Sequence, residues 1–225
     1  MDHRIPEGEQ RRGRSVSAGS GPSGPVIALL LAAGESTRMG RPKPLLDWRG
    51  RTLIEYQIGE LLAAGVDQVI AVLGHGAEDV RPFAERAGAR VAVNTGYRGG
   101  RAGSIRTGAM AVPDDTGAVV ILNVDQPRDR EIIRAVLKAH RSGLSPTTVP
   151  SYQGRHGHPA IFAGRLLPEL RNVDEASEGL RAINRRHAAE RTEAPIDDPA
   201  VLLDLNLPAD YEAARSAPDS SAGST

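Results

Sequence analysis

The sequence predicts an α/β fold built on an open, mostly parallel sheet with helices on both faces. Three observations carry this. Apolar runs such as 26–31 and 118–122 are continuous rather than alternating, as strands buried on both faces require. Segments with apolar residues at helical spacing lie between such runs. Strand and helix alternate along the chain, which is the pattern of parallel βαβ units.

The elements follow in order. The first strand is 26–31. A helix is expected over 52–64, with Leu53, Ile54, Ile58, Leu61 and Leu62 on its apolar face and Gly65 as its stop. A second strand is 68–73, and a helix over 77–87 is weakened by Pro82. A third strand is 90–93, a helix 103–110 and a fourth strand 118–124. A helix over 129–140 opens on an acidic residue. Short strands at 147–150 and 160–162 flank a polar loop. A helix over 177–186, a last strand at 202–205 and a last helix over 208–215, with Pro208 in its first turn, complete one domain, residues 25–215. The architecture implied is a Rossmann-like three-layer αβα sandwich.

Residues 1–24 and 216–225 are rich in Ser, Gly, Pro or Ala and read as disordered tails. The first tail lacks the apolar stretch of a secretory or twin-arginine signal, and no run is long enough to span a membrane. Equal numbers of acidic and basic residues, 28 of each, argue against a general binder of nucleic acid or membrane surfaces. The chain has no cysteine. That excludes disulfides, thiolate metal sites and cysteine nucleophiles, and it fits a reducing cytoplasm. Only two lysines occur, Lys43 and Lys138, in a chain otherwise reliant on Arg. A lysine kept in such a chain suits a compact point charge.

In open α/β sheets ligands bind beyond the carboxyl ends of the strands, so the residues after each strand are the candidates. After the first come Ala33-Gly34-Glu-Ser-Thr-Arg38-Met-Gly40-Arg-Pro-Lys43. The glycines allow tight turns, and free amides with Arg38, Arg41 and Lys43 would make a concave positive site for phosphates. It matches neither a P-loop nor a dinucleotide fingerprint. After the fourth strand comes Asn123-Val-Asp125-Gln-Pro127. Asp125 either holds a hard cation or caps the next helix. Asp204 and Asn206, two apart, would face one side of an extended segment. They either complete the cation site or cap the last helix. A glycine-rich loop, 94–108, leads into a helix where Ser104 and free amides could read a base or ribose. The basic loop Gly154-Arg155-His156-Gly157-His158-Pro159 suits a substrate contact better than zinc, for which no third ligand is at hand.

Together these segments resemble the MobA-like nucleotidyltransferases. The likeness rests on Leu31-Ala-Ala-Gly-x-Ser-x-Arg-Met-Gly-x-x-Lys43. It continues through Val72-Leu-Gly-His75, Asn94, the glycines of 100–108, Asp125-Gln-Pro127, Gly154-Arg-x-Gly-His-Pro159 and Asp204-x-Asn-x-Pro208. It spans nearly all of residues 26–215, and it is strongest toward the molybdenum cofactor cytidylyltransferase branch. The chain departs from that pattern at Arg101, where the family usually has Met, at Asn123-Val124 before Asp125, and around Asp174.

The resemblance implies a fold of the nucleotide-diphospho-sugar transferase type and transfer of a nucleoside monophosphate from an NTP to a phosphate-monoester acceptor, with release of pyrophosphate. An Ala32-Ala33-Gly34 loop leans to CTP. Molybdopterin cofactor is the acceptor of the similar branch, with a molybdoenzyme as a further partner. Arg38, Lys43 and Asp125 are then the expected catalytic residues. Leu31, Ala32, Ala33, Gly34, Glu35, Ser36, Thr37, Arg38, Met39, Gly40, Lys43, Gly74, Asn94, Ser104 and Gly108 would bind nucleotide. Gln126, Pro127, Arg155, Gly157, His158 and Pro159 would bind acceptor. Asp125 with Asp204 or Asn206 would hold Mg²⁺. A sugar-1-phosphate nucleotidyltransferase and a non-catalytic molybdoenzyme maturation factor remain as alternatives.

Overall fold

The computed structural model describes residues 24–216. The tails expected from the sequence lie outside the described residues, except for Gly24 and Ser216. Strand β1 (Val26–Ala32) runs through the sheet interior and all its residues are buried. Val26, Ala28, Leu30 and Ala32 face one apolar layer, and Ile27, Leu29 and Leu31 face the other. Coverage on both faces explains why the run shows no polar alternation.

A small hairpin, β2 (Asp47–Trp48) and β3 (Arg51–Thr52), leads into α1 (Leu53–Ala63). Thr52 and Glu55 cap that helix reciprocally, which satisfies two of its open amides. Gly65, at φ 95°, follows its end. Next come β4 (Gln68–Leu73), α2 (Ala77–Arg86), which runs through Pro82, and β5 (Arg90–Val93). The chain then forms α3 (Arg101–Met110), β6 (Ala118–Asn123) and α4 (Arg130–Arg141). After these come β7 (Thr147–Tyr152), β8 (Arg155–His156), β9 (Ala160–Ala163), α5 (Leu167–Arg171) and α6 (Leu180–Arg186). Edge strand β10 (Thr192–Pro195) and α7 (Pro208–Ser216) close the fold.

The main sheet has the order β10-β7-β9-β6-β1-β4-β5, with β8 hydrogen-bonded to β7. β1 lies parallel to β4 and β6, β4 to β5, and β7 to β10, whereas β9 is antiparallel to β6 and β7. Helices α1, α2, α4 and α7 cover one face, and α3, α5 and α6 the other. The chain winds outward from β1 to β5 and then crosses back to β6 on the other side of β1. That reversal opens a crevice at the carboxyl ends of β1 and β6, where such folds bind ligands. Because β9 runs the opposite way, the loop that enters it at 157–159 comes to the same edge.

The expected strand at 202–205 is absent. Its place is taken by a 3-10 turn, Pro199–Leu202, and an irregular segment. The carbonyls of Val201 and Leu203 bond to Arg128, and the Leu205 amide bonds to the Asp125 carbonyl, so no ladder forms. β10 was not expected. It is an edge strand ending in a proline, the position where a strand tolerates one. α6 starts at Leu180 rather than 177, because Gly179 takes φ 59° and ψ −134°, a conformation open to glycine. α3 starts at Arg101, since the Glu175 carboxylate accepts a hydrogen bond from the Ala102 amide. Among the described residues no helix is long and apolar enough to cross a membrane.

Candidate active site

A cleft of about 470 Å³ opens at the crevice between β1 and β6. Its walls come from four segments. Leu31, Ala32, Ala33, Gly34, Ser36, Thr37 and Lys43 belong to β1 and the loop after it. Tyr97, Gly100, Arg101 and Ser104 precede or open α3. Asn123, Val124, Asp125 and Gln126 end β6, and Asp204 and Asn206 lie in the irregular segment before α7.

The first loop is closed on itself. Ser36 at φ 55° and Gly40 at φ 66° reverse the backbone around a 3-10 turn, Thr37–Met39. The Ser36 hydroxyl accepts a bond of 3.0 Å from the Lys43 amide. This ring returns Lys43 to the cleft, where its Nζ lies 2.7 Å from Asp125 Oδ2. Lys43 is 11% and Asp125 24% exposed, so the pair is only partly screened by water. The Asp125 carbonyl accepts from the Leu205 amide at 2.8 Å, and the Gln126 amide donates to the Asn123 carbonyl. Asp125 does not cap α4. Asp129 does, accepting from the Ile132 amide at 3.0 Å.

Asp204 stands beside Asp125. Burial raises its pKa above the ordinary aspartate value, and the Asp125 charge raises it further; Asn206, Lys43 and Gln126 oppose the shift. Its Oδ1 is buried without a hydrogen-bond partner. Two crowded carboxylates, one with an orphaned oxygen, have the chemistry of a hard-cation site. Among the described residues no group of three or more His, Cys, Asp or Glu side chains is arranged to hold a metal ion. Mg²⁺ commonly uses only one or two carboxylates and takes its other ligands from phosphates and water, so the donor set fits that ion. Neither Asp204 nor Asn206 caps α7. The Asp210 carboxylate accepts from the Asn206 and Leu207 amides at 3.1 and 2.8 Å.

Several expected contacts lie elsewhere. Met39 is buried in the core, and the Met39 and Gly40 amides bond back to Ser36 and Thr37. Glu35 turns outward to Arg98, 3.0 Å away. The Arg38 side chain lies outside the described residues. Gly74 and Gly108 are close-approach positions. A Cβ on Gly74 would stand 2.7 Å from the Ala33 carbonyl oxygen, and one on Gly108 2.8 Å from Val72. Asn94 is buried and joins its loop to α3, donating to the Ser104 hydroxyl at 3.0 Å and accepting from the Gly96 amide.

Of the acceptor candidates, Gln126 lines the cleft, and its side chain accepts from Asn123 at 2.8 Å. Arg155 is exposed on β8, and neighbouring His156 pairs with Glu193. Pro127, Gly157, His158 and Pro159 do not form the cleft wall. Gly157 packs so tightly on the 199–202 turn that a Cβ would meet the Val201 oxygen at 2.1 Å. His158 is half-buried. Burial, then Arg128 and Arg101, pull its pKa down to about 4, so it is a neutral imidazole near pH 7.

Sequence reasoning missed Arg128 and Gln57. Arg128 is 1% exposed. Burial pulls its pKa down to about 10, with Asp204, Asp129, Asp198 and Asp125 opposing, so it stays protonated at neutral pH. Gln57, fully buried on α1, donates to the Gln126 carbonyl at 2.7 Å and accepts from the Arg128 amide. A signal existed: Gln57 and Glu60 interrupt the inward face of α1 between Leu53 and Leu61, and buried polar groups need partners.

A glycine loop after a buried parallel strand thus carries a lysine to a carboxylate at the end of the neighbouring strand, at the switch point where such sheets bind ligands. The chain belongs to the MobA-like NTP transferase domain family, which it matches over residues 28–192. It is 33% identical to the "Nicotine blue oxidoreductase" of Paenarthrobacter nicotinovorans, over 72% of this chain and 82% of that protein. It is 32% identical to the "Bifunctional protein GlmU" of Pelobacter propionicus over 73% of this chain, but spans only 35% of that longer protein. The fold is similar to Rv0371c of Mycobacterium tuberculosis, with a TM-score of 0.74 and 27% identity over 86% of this chain and 99% of that one. The same mycobacterial protein in complex with manganese matches at TM-score 0.71 and 26% identity, over 86% and 99% of the two chains.

Proposed function

We propose that the protein transfers a nucleoside monophosphate from an NTP, with CTP favoured, to a phosphate-monoester acceptor, and that it does so with Mg²⁺ in the cytoplasm. The observation that carries this reading is the Lys43–Asp125 pair at 2.7 Å in the β1–β6 crevice, next to Asp204, whose Oδ1 is buried without a partner. Family membership supports the reaction class. The manganese complex of the mycobacterial protein supports a divalent cation.

An acceptor phosphate oxygen attacks the α-phosphorus, a new P–O bond forms, and the bond from the α-phosphorus to the bridging oxygen breaks. Pyrophosphate leaves with that electron pair. A phosphate monoester is already anionic near neutral pH, so no general base is needed. The protein's task is positioning and charge neutralisation. Lys43 and Arg38 neutralise the triphosphate and the leaving pyrophosphate. Asp125, with Asp204 or Asn206, holds the cation, which when bound polarises the phosphoryl oxygens. Gly34 and its neighbours let the triphosphate approach the backbone, and Ser104 and Tyr97 face the nucleoside end. Arg101 and Gln126 face the acceptor. CTP rests on the resemblance of Ala32-Ala33-Gly34 to the cytidylyltransferase branch, as does a molybdopterin-type acceptor.

The relative named nicotine blue oxidoreductase supplies a second reading, an oxidoreductase. The Lys43–Asp125–Asp204 cluster favours transfer, because hydride transfer requires no paired carboxylates. Pyrophosphate release with CTP, GTP, ATP and UTP across phosphorylated acceptors tests the proposal, with a reduced nicotinamide dinucleotide as the oxidoreductase arm. Release that depends on both acceptor and Mg²⁺, greatest with CTP, is expected. Dinucleotide oxidation without pyrophosphate release overturns it.

A further inference from the structure

The two carboxylates that would hold the cation sit on loops with no hydrogen-bonded sheet between them. Asp125 lies on the turn after β6. Asp204 lies in the irregular segment that replaces the expected last strand. One backbone bond, from the Leu205 amide to the Asp125 carbonyl, joins the two segments directly; the rest of their tie runs through a fully buried side chain, Arg128. Arg128 Nη1 donates to the Pro127 carbonyl at 2.8 Å and Nε to the His158 carbonyl at 2.9 Å; Nη2 donates to the Val201 and Leu203 carbonyls at 2.7 and 3.0 Å. One guanidinium therefore binds the loop of Asp125, the turn into β9 and the residue just before Asp204. Its own amide is held by Gln57 of α1 at 3.1 Å.

We infer that Arg128 is a positioning residue of the cation site: together with the Leu205–Asp125 backbone bond, its planar fork sets the Asp125-to-Asp204 spacing through four backbone carbonyls. A rigid fork spreads five donors over three nitrogens and so reaches carbonyls that lie apart, where an ammonium has three donors on one nitrogen. Peptide carbonyls of loops are otherwise free to turn toward water, and a buried one left unpaired is costly. Gly157 supports the arrangement from the other side, since any Cβ there would push the Val201 carbonyl off its donor. The inference rests on the divalent-cation reading above.

The position also gives the test a sign. As a nearby positive charge, Arg128 repels a cation; as a clamp, it assembles the site. Removing it therefore tightens cation binding if charge is its only influence and weakens binding if it positions the carboxylates. The experiment measures Mn²⁺ binding by loss of the free-ion EPR signal, on full-length wild type, Arg128→Met and Arg128→Lys, with thermal melts alongside. Wild type is expected to bind Mn²⁺. If it does not, the cation reading fails before the role of Arg128 is reached. Both variants are expected to bind about 10- to 100-fold more weakly, the range for lost outer-shell support. In turnover, Arg128→Lys should raise the Mg²⁺ concentration for half-maximal rate by a similar factor while keeping much of the rate at saturating Mg²⁺. Gly157→Ala, which leaves the arginine in place, should weaken Mn²⁺ in the same direction and carries the test if Arg128→Met does not fold. Leu170→Ala, on α5 away from the cleft, is the control: it should lower the melting temperature and leave Mn²⁺ affinity unchanged. Wild-type or tighter Mn²⁺ binding in folded Arg128→Lys or Arg128→Met overturns the inference.

Discussion

Lys43 Nζ lies 2.7 Å from Asp125 Oδ2 across 82 positions of sequence. The contact is made by two adjacent parallel strands that end side by side, β1 and β6. A self-closed loop on one strand and a Pro-stopped turn on the other aim the two charges at a common point. Either charge alone, in a cleft of limited exposure, would lose solvation without compensation.

Removing either member should therefore separate binding from chemistry. Asp125→Ala is expected to abolish pyrophosphate release even at saturating NTP. Lys43→Ala is expected to lower it by about 10²- to 10³-fold, the range for losing one group that stabilises transition-state charge. Steady-state kinetics over a range of Mg²⁺ checks both.

Asp204 should oppose stability while serving function. Its carboxylate is crowded by Asp125 and has an orphaned buried oxygen. Asp204→Asn removes the like charge, so its melting temperature in EDTA should rise above wild type while turnover falls. Scanning calorimetry with and without Mg²⁺ reads the stability half. A lower melting temperature in EDTA would contradict the crowding described here.

Gly74 should be intolerant of a side chain. Its Cβ would approach the Ala33 oxygen and Tyr97 Cβ, both at 2.7 Å, and these atoms belong to cleft-lining residues. Gly74→Ala is expected to destabilise the fold by about 1–3 kcal/mol, the usual cost of overpacking, and to raise the KM for NTP. Urea titration and kinetics check the two effects separately.

Stability should fall in mild acid. Burial, aided by Arg165 and Arg141, pulls the pKa of His140 down to about 4, and the side chain is 1% exposed. The unfolded chain takes up a proton near pH 6.5 and the folded protein does not. This contribution is therefore intact above pH 6.5 and is lost as pH falls toward 4. His140 alone should cost on the order of 2 kcal/mol between pH 7.5 and 5. Urea midpoints at the two pH values measure it, and His140→Gln should reduce the slope.

Much of this was legible in the sequence because it depends on local pattern. The buried runs of β1, β4 and β6, the acidic cap at Asp129, and the loop from Gly34 to Lys43 are each set by neighbours in the chain. Asp125 and Asp204 were legible as strand-end or near-strand-end carboxylates. What failed depends on distant partners. The segment at 202–205 has strand-like residues, yet the carbonyls of Leu203 and of Val201 just before it are taken by Arg128, 75 and 73 positions away. Arg128 itself looks like any arginine beside a helix start. Gly157 and Gly108 looked like ligand-facing glycines and are contact points between elements, a distinction that only packing makes.

The central claim is attack at the α-phosphorus, and the fate of labelled CTP tests it most directly. With the acceptor and Mg²⁺ present, label in the α-phosphate should pass into the acceptor product, and label in the γ-phosphate should leave in pyrophosphate. Release of γ-label as inorganic phosphate, or its transfer to the acceptor, would contradict the account.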